Sequence, residues 1–215
     1  MYDLPKYKEK DEAVVRAFIR QHPFAMLTGV NERQQPVATQ IPVFIDERDG
    51  RLYLSGHMMK HTDHHRAFLQ NPQALIIFTG PHTYVSASWY QNKKQGSTWN
   101  YMTVHAHGNM RFLDEKALRD VLHRTTRHFE NDPHSGANYE DLPQEYVDQM
   151  AKAIVAFELE VTRLEHVFKL SQNRDQVSYD NIIARLQEQG GQAAAVAQEM
   201  QKRRSQLFKA DSAAE

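Results

Sequence analysis

Apolar residues recur along this chain with two different periods, and the switches between them mark its elements. Val14, Val15, Phe18 and Ile19 fall at helical spacing within residues 11–20 and predict a short amphipathic helix ended by His22 and Pro23. From Phe24 the period drops to two. Phe24, Met26 and Thr28 alternate with Ala25 and Leu27, and a second run over residues 36–46 places Val37, Thr39, Ile41, Val43 and Ile45 on one face. These two segments read as an antiparallel pair. A turn at 46–50 leads to a third strand, with Leu52 and Leu54 flanking Tyr53, that is expected to stop at Gly56. A helix is expected over 60–70, followed by an apolar strand at 74–78, a break at Gly80-Pro81 and a short extended piece at 84–86.

The alternation is clearest over residues 101–112. Met102, Val104, Ala106, Met110 and Phe112 stand on one side, and Tyr101, Thr103, His105, His107, Asn109 and Arg111 on the other. Asp114 is placed to cap a helix carrying Leu118, Leu122, Thr125 and Phe129. A helix is expected near 144–152. The run 154–162 then returns to period two and is expected to close a barrel, and helices follow at 178–189 and 192–208 around a break at Gly190-Gly191. Short strands with inserted and appended helices predict a mainly β fold with peripheral α: a closed or partly closed barrel over residues 1–190 with a C-terminal helical extension, 191–215. No GxGxxG or P-loop pattern occurs, so a doubly wound nucleotide fold fits badly.

Composition narrows the chemistry. The 26 Lys plus Arg against 27 Asp plus Glu give a formal net charge of −1, and so no overall field that would draw in a nucleic-acid backbone. With no Cys, disulfides, thiolate metal sites and thiol chemistry are excluded. No segment approaches the roughly 18 apolar residues of a membrane span, and the charged first residues do not read as a secretory signal. A cytoplasmic protein without membrane contact is expected. The twelve His are the one oddity of composition.

Three stretches concentrate polar groups. In Ser55–Arg66 a strand end and a helix start would bring Ser55, His57, Lys60 and free backbone N–H groups into one small volume, which reads as a phosphate clamp or as a solvated turn. The pairs His57/His61 and His61/His65 share a helical spacing, but a chance pairing explains them as well as a metal does, and no metal is expected. In Ser86–Gly108, Trp89, Tyr90, Trp99 and Tyr101 bracket a Lys/Gly/Ser loop beside Asn100, suited to stacking on a planar heterocycle or to plugging a barrel end. His105 and His107 read as proton-relay or interface groups. In Lys169–Arg174, Ser171 or Asn173 reads as a helix cap. The run Lys202–Lys209 is the one basic cluster, either a solvated helix face or a nucleic-acid contact.

Taken in order, ATQIP (Ala38–Pro42), LSGHMMKH (Leu54–His61), IIFTGPHTYVSASWY (Ile76–Tyr90), TWNYMTVHAHG (Thr98–Gly108) and KLSQN (Lys169–Asn173) resemble the PaiB family over nearly the whole chain. The sequence departs from the family at Gln40, where His is common, at His61, where Asn is common, and at Ala87 and Ser97, where Pro is common. The resemblance implies an FMN-binding split β-barrel, related in fold to pyridoxamine phosphate oxidases, forming a homodimer with the cofactor site at the subunit interface. It further implies His57 and Lys60 near the FMN phosphate, where the junction reading adds Ser55, with Thr39 and Gln40 at the ring edge, and Trp99 and Asn100 near a subunit boundary. Members are described as transcriptional regulators, which implies a flavin-dependent or flavin-sensing role with a DNA or protein partner. The alternatives are an FMN-dependent oxidoreductase, or a haem-binding split barrel, in either case without DNA contact.

Overall fold

The structure is a computed structural model that describes residues 1–208; Lys209 and the rest of the expected 191–215 extension lie outside the described residues. Seven strands, β1 (Phe24–Val30), β2 (Pro36–Pro42), β3 (Phe44–Arg48), β4 (Arg51–Met59), β5 (Gln73–Val85), β6 (Thr98–Phe112) and β7 (Ile154–Lys169), form one sheet in the order β2-β1-β5-β6-β7-β4-β3. The helices are α1 (Glu12–Gln21), α2 (Asp63–Gln70), α3 (Glu115–Glu130), α4 (Gln144–Ala153), α5 (Gln176–Gln189) and α6 (Gly191–Leu207). As the sequence suggests, β1 and β2 pair antiparallel, Met26 opposite Gln40, and Asp114 caps α3 by accepting from Ala117 N–H at 2.8 Å.

Several boundaries differ from the pattern-based expectation. The run 36–46 is two strands, divided at Val43, whose N–H donates to Pro23 O at 2.8 Å and not to a strand ladder. β2 pairs with β1 and β3 with β4, so strands separated by one residue lie at the two ends of the strand order. A sheet can satisfy that only by curling until its ends approach. Gly56 does not stop β4; it sits in the ladder opposite Phe157, where a Cβ would come within 2.7 Å of Pro42 O. Glycine is there because two backbones meet. Gly80-Pro81 does not interrupt β5, since proline's φ suits extended backbone and costs the strand only one donor. The helix expected from Lys60 begins at Asp63. β7 runs on past Thr162 to Lys169 and is an interior strand of the sheet, not its closing edge.

By packing, the chain divides into two compact units. One comprises Met1–Val15, Thr79–Val104 and the chain from His166; the other comprises Arg16–Phe78 and His105–Glu165. In the second, Leu27, Leu54, Ile76, Phe78, Phe157 and Leu159 are fully buried. Leu118, Val121, Ala151, Ile154 and Ala156 form a separate cluster that joins α3 and α4 to β7. On β1, by contrast, Phe24 is 61% and Met26 41% exposed. In the first unit, Tyr90, Phe168, Leu170 and Ile182 are buried, and α6 contributes Val196, Ala197 and Met200. Tyr179 of α5 donates its hydroxyl to Met200 O at 2.9 Å.

Candidate functional site

Alternation along β4 places Ser55 and His57 on one face, opposite Glu158 and Ala156 of β7. Glu158 is nearly buried and is held by both Arg48 and Arg111, the latter donating at 2.8 Å. Its charge is therefore already matched and leaves the Ser55 hydroxyl free of repulsion toward an anion. Ala156 belongs to the α3/α4 cluster, and His57 beside it is largely desolvated, which pulls its pKa below the ordinary imidazole value. At neutral pH this imidazole is uncharged, a hydrogen-bonding group and not a fixed cation.

Lys60 follows the strand. Its N–H donates to Ala153 O at 2.8 Å, and its ammonium donates to Lys152 O at 3.2 Å. It lines a cavity of about 440 Å³ together with Arg119, Asp148 and Lys152. Within that lining Arg119 is paired to both Glu115 and Asp148 at 2.7 Å, whereas neither Lys60 nor Lys152 has a carboxylate within ion-pair distance among the described residues. Helix α2 adds less than its sequence suggests. Thr62 caps it by accepting from His65 N–H at 3.3 Å, which uses one of the N–H groups expected to be free.

The other implied contacts divide. Thr39 stands opposite buried Leu27, and Gln40 opposite exposed Met26, so neighbouring residues of β2 face opposite sides of the sheet. They do not line one edge together. Trp99 and Asn100 divide in the same way. Asn100 is fully buried, accepts from Ser171 Oγ at 3.0 Å and directs its amide at Met200 Sδ at 3.5 Å; Trp99 is 54% exposed, edge-on to Tyr84 at 6.0 Å between centroids. Period-two geometry would have flagged both splits, because adjacent strand residues cannot share a face. Of these residues, Ser55, His57 and Lys60 are brought to one strand and its exit, while Trp99 and Asn100 belong to the other unit.

Groups that the sequence left open also find partners. His61 N–H donates to His65 Nδ1 at 3.3 Å, and among the described residues no three His, Asp or Glu side chains gather as metal ligands. His107 meets Glu165 at 2.9 Å with Arg163 alongside, a polar cluster on β6 and β7. The α5 cap is Asp175, which accepts from Ser178 N–H at 2.9 Å; Ser171, left-handed at φ 62°, bonds Asn100 instead. Lys169, a group the sequence did not single out, is pinned by Thr98 Oγ1 and, at 2.7 Å, by Trp99 O, and desolvation lowers its pKa. The basic run of α6 is largely neutralised. Lys202 and Arg203 pair with Glu199 at 2.6 Å, and Arg204 with Asp180 at 2.6 Å.

The curled sheet and its helices define a split β-barrel with C-terminal helices appended. In overall structure the chain is similar to a "putative 5-nitroimidazole antibiotic resistance protein" of Bacteroides thetaiotaomicron (18% identity, 74% of this chain and 84% of that one, TM-score 0.55). It is also similar to the FAD and heme binding protein of Mycobacterium smegmatis (16%, 75% and 72%, TM-score 0.52). Residues 1–163 match the family model described as "Putative FMN-binding domain". The chain is 30% identical to the Bacillus subtilis protease synthase and sporulation protein PAI 2 over 185 residues, 86% of this chain and 88% of that one. It belongs to the PaiB family of FMN-binding-domain proteins.

Proposed function

We propose that this chain binds FMN as a homodimer and acts as a flavin-sensing regulator of the PaiB type. The observation that carries the reading is Lys60: a partly exposed ammonium at the rim of a cavity, on the exit of the strand that carries Ser55, whose one hydrogen-bond acceptor among the described residues is a backbone carbonyl. A cation with hydroxyl or amide donors suits a phosphate monoester; the lining carboxylates are engaged, Glu115 and Asp148 by Arg119 and Asp114 by Ala117 N–H. Among the described residues Ser55, Thr39 and Gln40 form no side-chain hydrogen bond that would compete. Ser55 and Lys60 would hold the phosphate, and neutral His57 would supply a hydrogen bond without further charge. Bound FMN would supply reversible one- and two-electron redox chemistry. The protein's own contribution is to grip, orient and shield.

Regulation through DNA contact by α6 is disfavoured by its ion pairs, since cations bound to Glu199 and Asp180 release few counterions from a phosphate backbone. A protein partner that reads flavin occupancy suits this surface better. The same pairing also favours a second reading, an FMN-dependent oxidoreductase with no DNA partner. Titrating the purified protein with FMN and with riboflavin, followed by flavin fluorescence, tests the cofactor; tighter binding of FMN is expected. Absence of binding, or equal affinity for riboflavin, would refute the phosphate grip. A Soret band acquired on titration with haemin, with no flavin uptake, would instead support the haem alternative.

A further inference from the structure

The unit formed by Arg16–Phe78 and His105–Glu165 has a smaller cavity, about 180 Å³, lined by none of the proposed flavin contacts. Its apolar wall is made by Pro23, Val43 and Phe44, where the chain crosses from β2 to β3. Its polar lining is the guanidiniums of Arg20 from α1 and Arg124 from α3, with the imidazole of His128 beside Arg124 on α3.

The Phe44 ring fixes the arrangement. The Arg124 guanidinium carbon stands 4.5 Å from the ring centroid, and the His128 ring meets it edge-on at 5.3 Å and 84°. Arg124 donates one nitrogen, Nη1, to Asp46 at 2.7 Å, which leaves Nε and Nη2 as donors. Arg20 has no carboxylate within ion-pair distance among the described residues. It stands in the last turn of α1, where the helix dipole stabilises its charge without one. Two guanidiniums are therefore matched by one carboxylate, Asp46, beside an aromatic wall. A carboxylate would satisfy the spare guanidinium donors as charge-assisted bonds, and a planar apolar body would cover the wall.

We infer that this cavity binds a small monocarboxylate with a planar apolar body, its carboxylate held by Arg20 and Arg124 and its body against Phe44 and Val43. The assignment is independent of the flavin reading.

The test uses the full chain with benzoate as probe, followed by saturation-transfer NMR and calorimetry. Acetate and benzyl alcohol serve as comparisons for the missing ring and the missing charge. Benzoate is expected to bind more tightly than either, and to lose about tenfold in affinity with Arg20→Gln or Arg124→Gln, the loss of one charge-assisted bond. Arg124→Gln also removes the Asp46 pair, so thermal melts accompany it, and exposed Arg20→Gln decides the matter should Arg124→Gln unfold. No benzoate binding, benzyl alcohol binding as tightly, acetate binding as tightly, or benzoate affinity unchanged in Arg20→Gln would each overturn the inference.

Discussion

Lys60 shows how far a single residue can carry the cofactor assignment. Its ammonium has a backbone carbonyl where a carboxylate would be expected, so exchanging that neutral acceptor for a phosphate gains a charge-assisted bond. Lys60→Ala is expected to weaken FMN binding by about 1.5–3 kcal/mol while leaving riboflavin affinity unchanged, as measured by paired fluorescence titrations. Histidine gives the second residue-level expectation. His57, His65, His105 and His166 all have pKa values lowered chiefly by burial. Below about pH 6.5 the unfolded chain takes up protons that the folded imidazoles resist, so their contribution is complete above that pH and is lost as pH falls through it. The melting temperature should drop between pH 7.5 and 5.5. A flat profile would mean that these rings are not held neutral.

At the scale of elements, the alternation over 101–112 was legible because each inward position is apolar and each outward one polar. What the pattern could not report is distance between backbones. A Cβ on Gly108 would lie 2.1 Å from Glu160 O and 2.5 Å from Leu159 Cδ2, so the β6–β7 approach depends on the missing side chain. The carbonyl is main chain and cannot swing aside. Gly108→Ala should cost about 2–3 kcal/mol in urea unfolding, whereas Gly96→Ala, with open space around its Cβ position, should stay within about 0.5 kcal/mol. The merged reading of 36–46 failed for a related reason. β-branched residues mark extended backbone equally well on either side of Val43, and the change of partner from β1 to β4 lies in tertiary pairing alone. Ser55, His57 and Lys60 were legible as a group because they are neighbours in sequence, whereas the burial of Asn100 by Ser171 and Met200 rests on contacts 71 and 100 residues away.

For the whole molecule the question is what covers the outer side of β1. Phe24 and Met26 alternate with fully buried residues of the same strand and are themselves 61% and 41% exposed; Gln40 and Ile77 flank Met26 across the two ladders. Large apolar side chains side by side on a flat ladder cost free energy in water, and a second copy of the same face would bury them on both partners at once. The strand positions named, Phe24, Met26, Gln40 and Ile77, are uncharged, and the Gln40 amide can hydrogen-bond its symmetry mate. We therefore expect a dimer by light scattering at micromolar concentration. Met26→Glu, which sets two like charges against each other near a two-fold axis, should shift it to monomer without lowering the melting temperature by more than a few degrees. If the cofactor is shared between subunits, the same variant should also lose FMN affinity, although Met26 is not one of the phosphate contacts. A monomer that retains full FMN affinity would separate the flavin site from the dimer, and a Met26→Glu chain that remains dimeric would move the interface to another face.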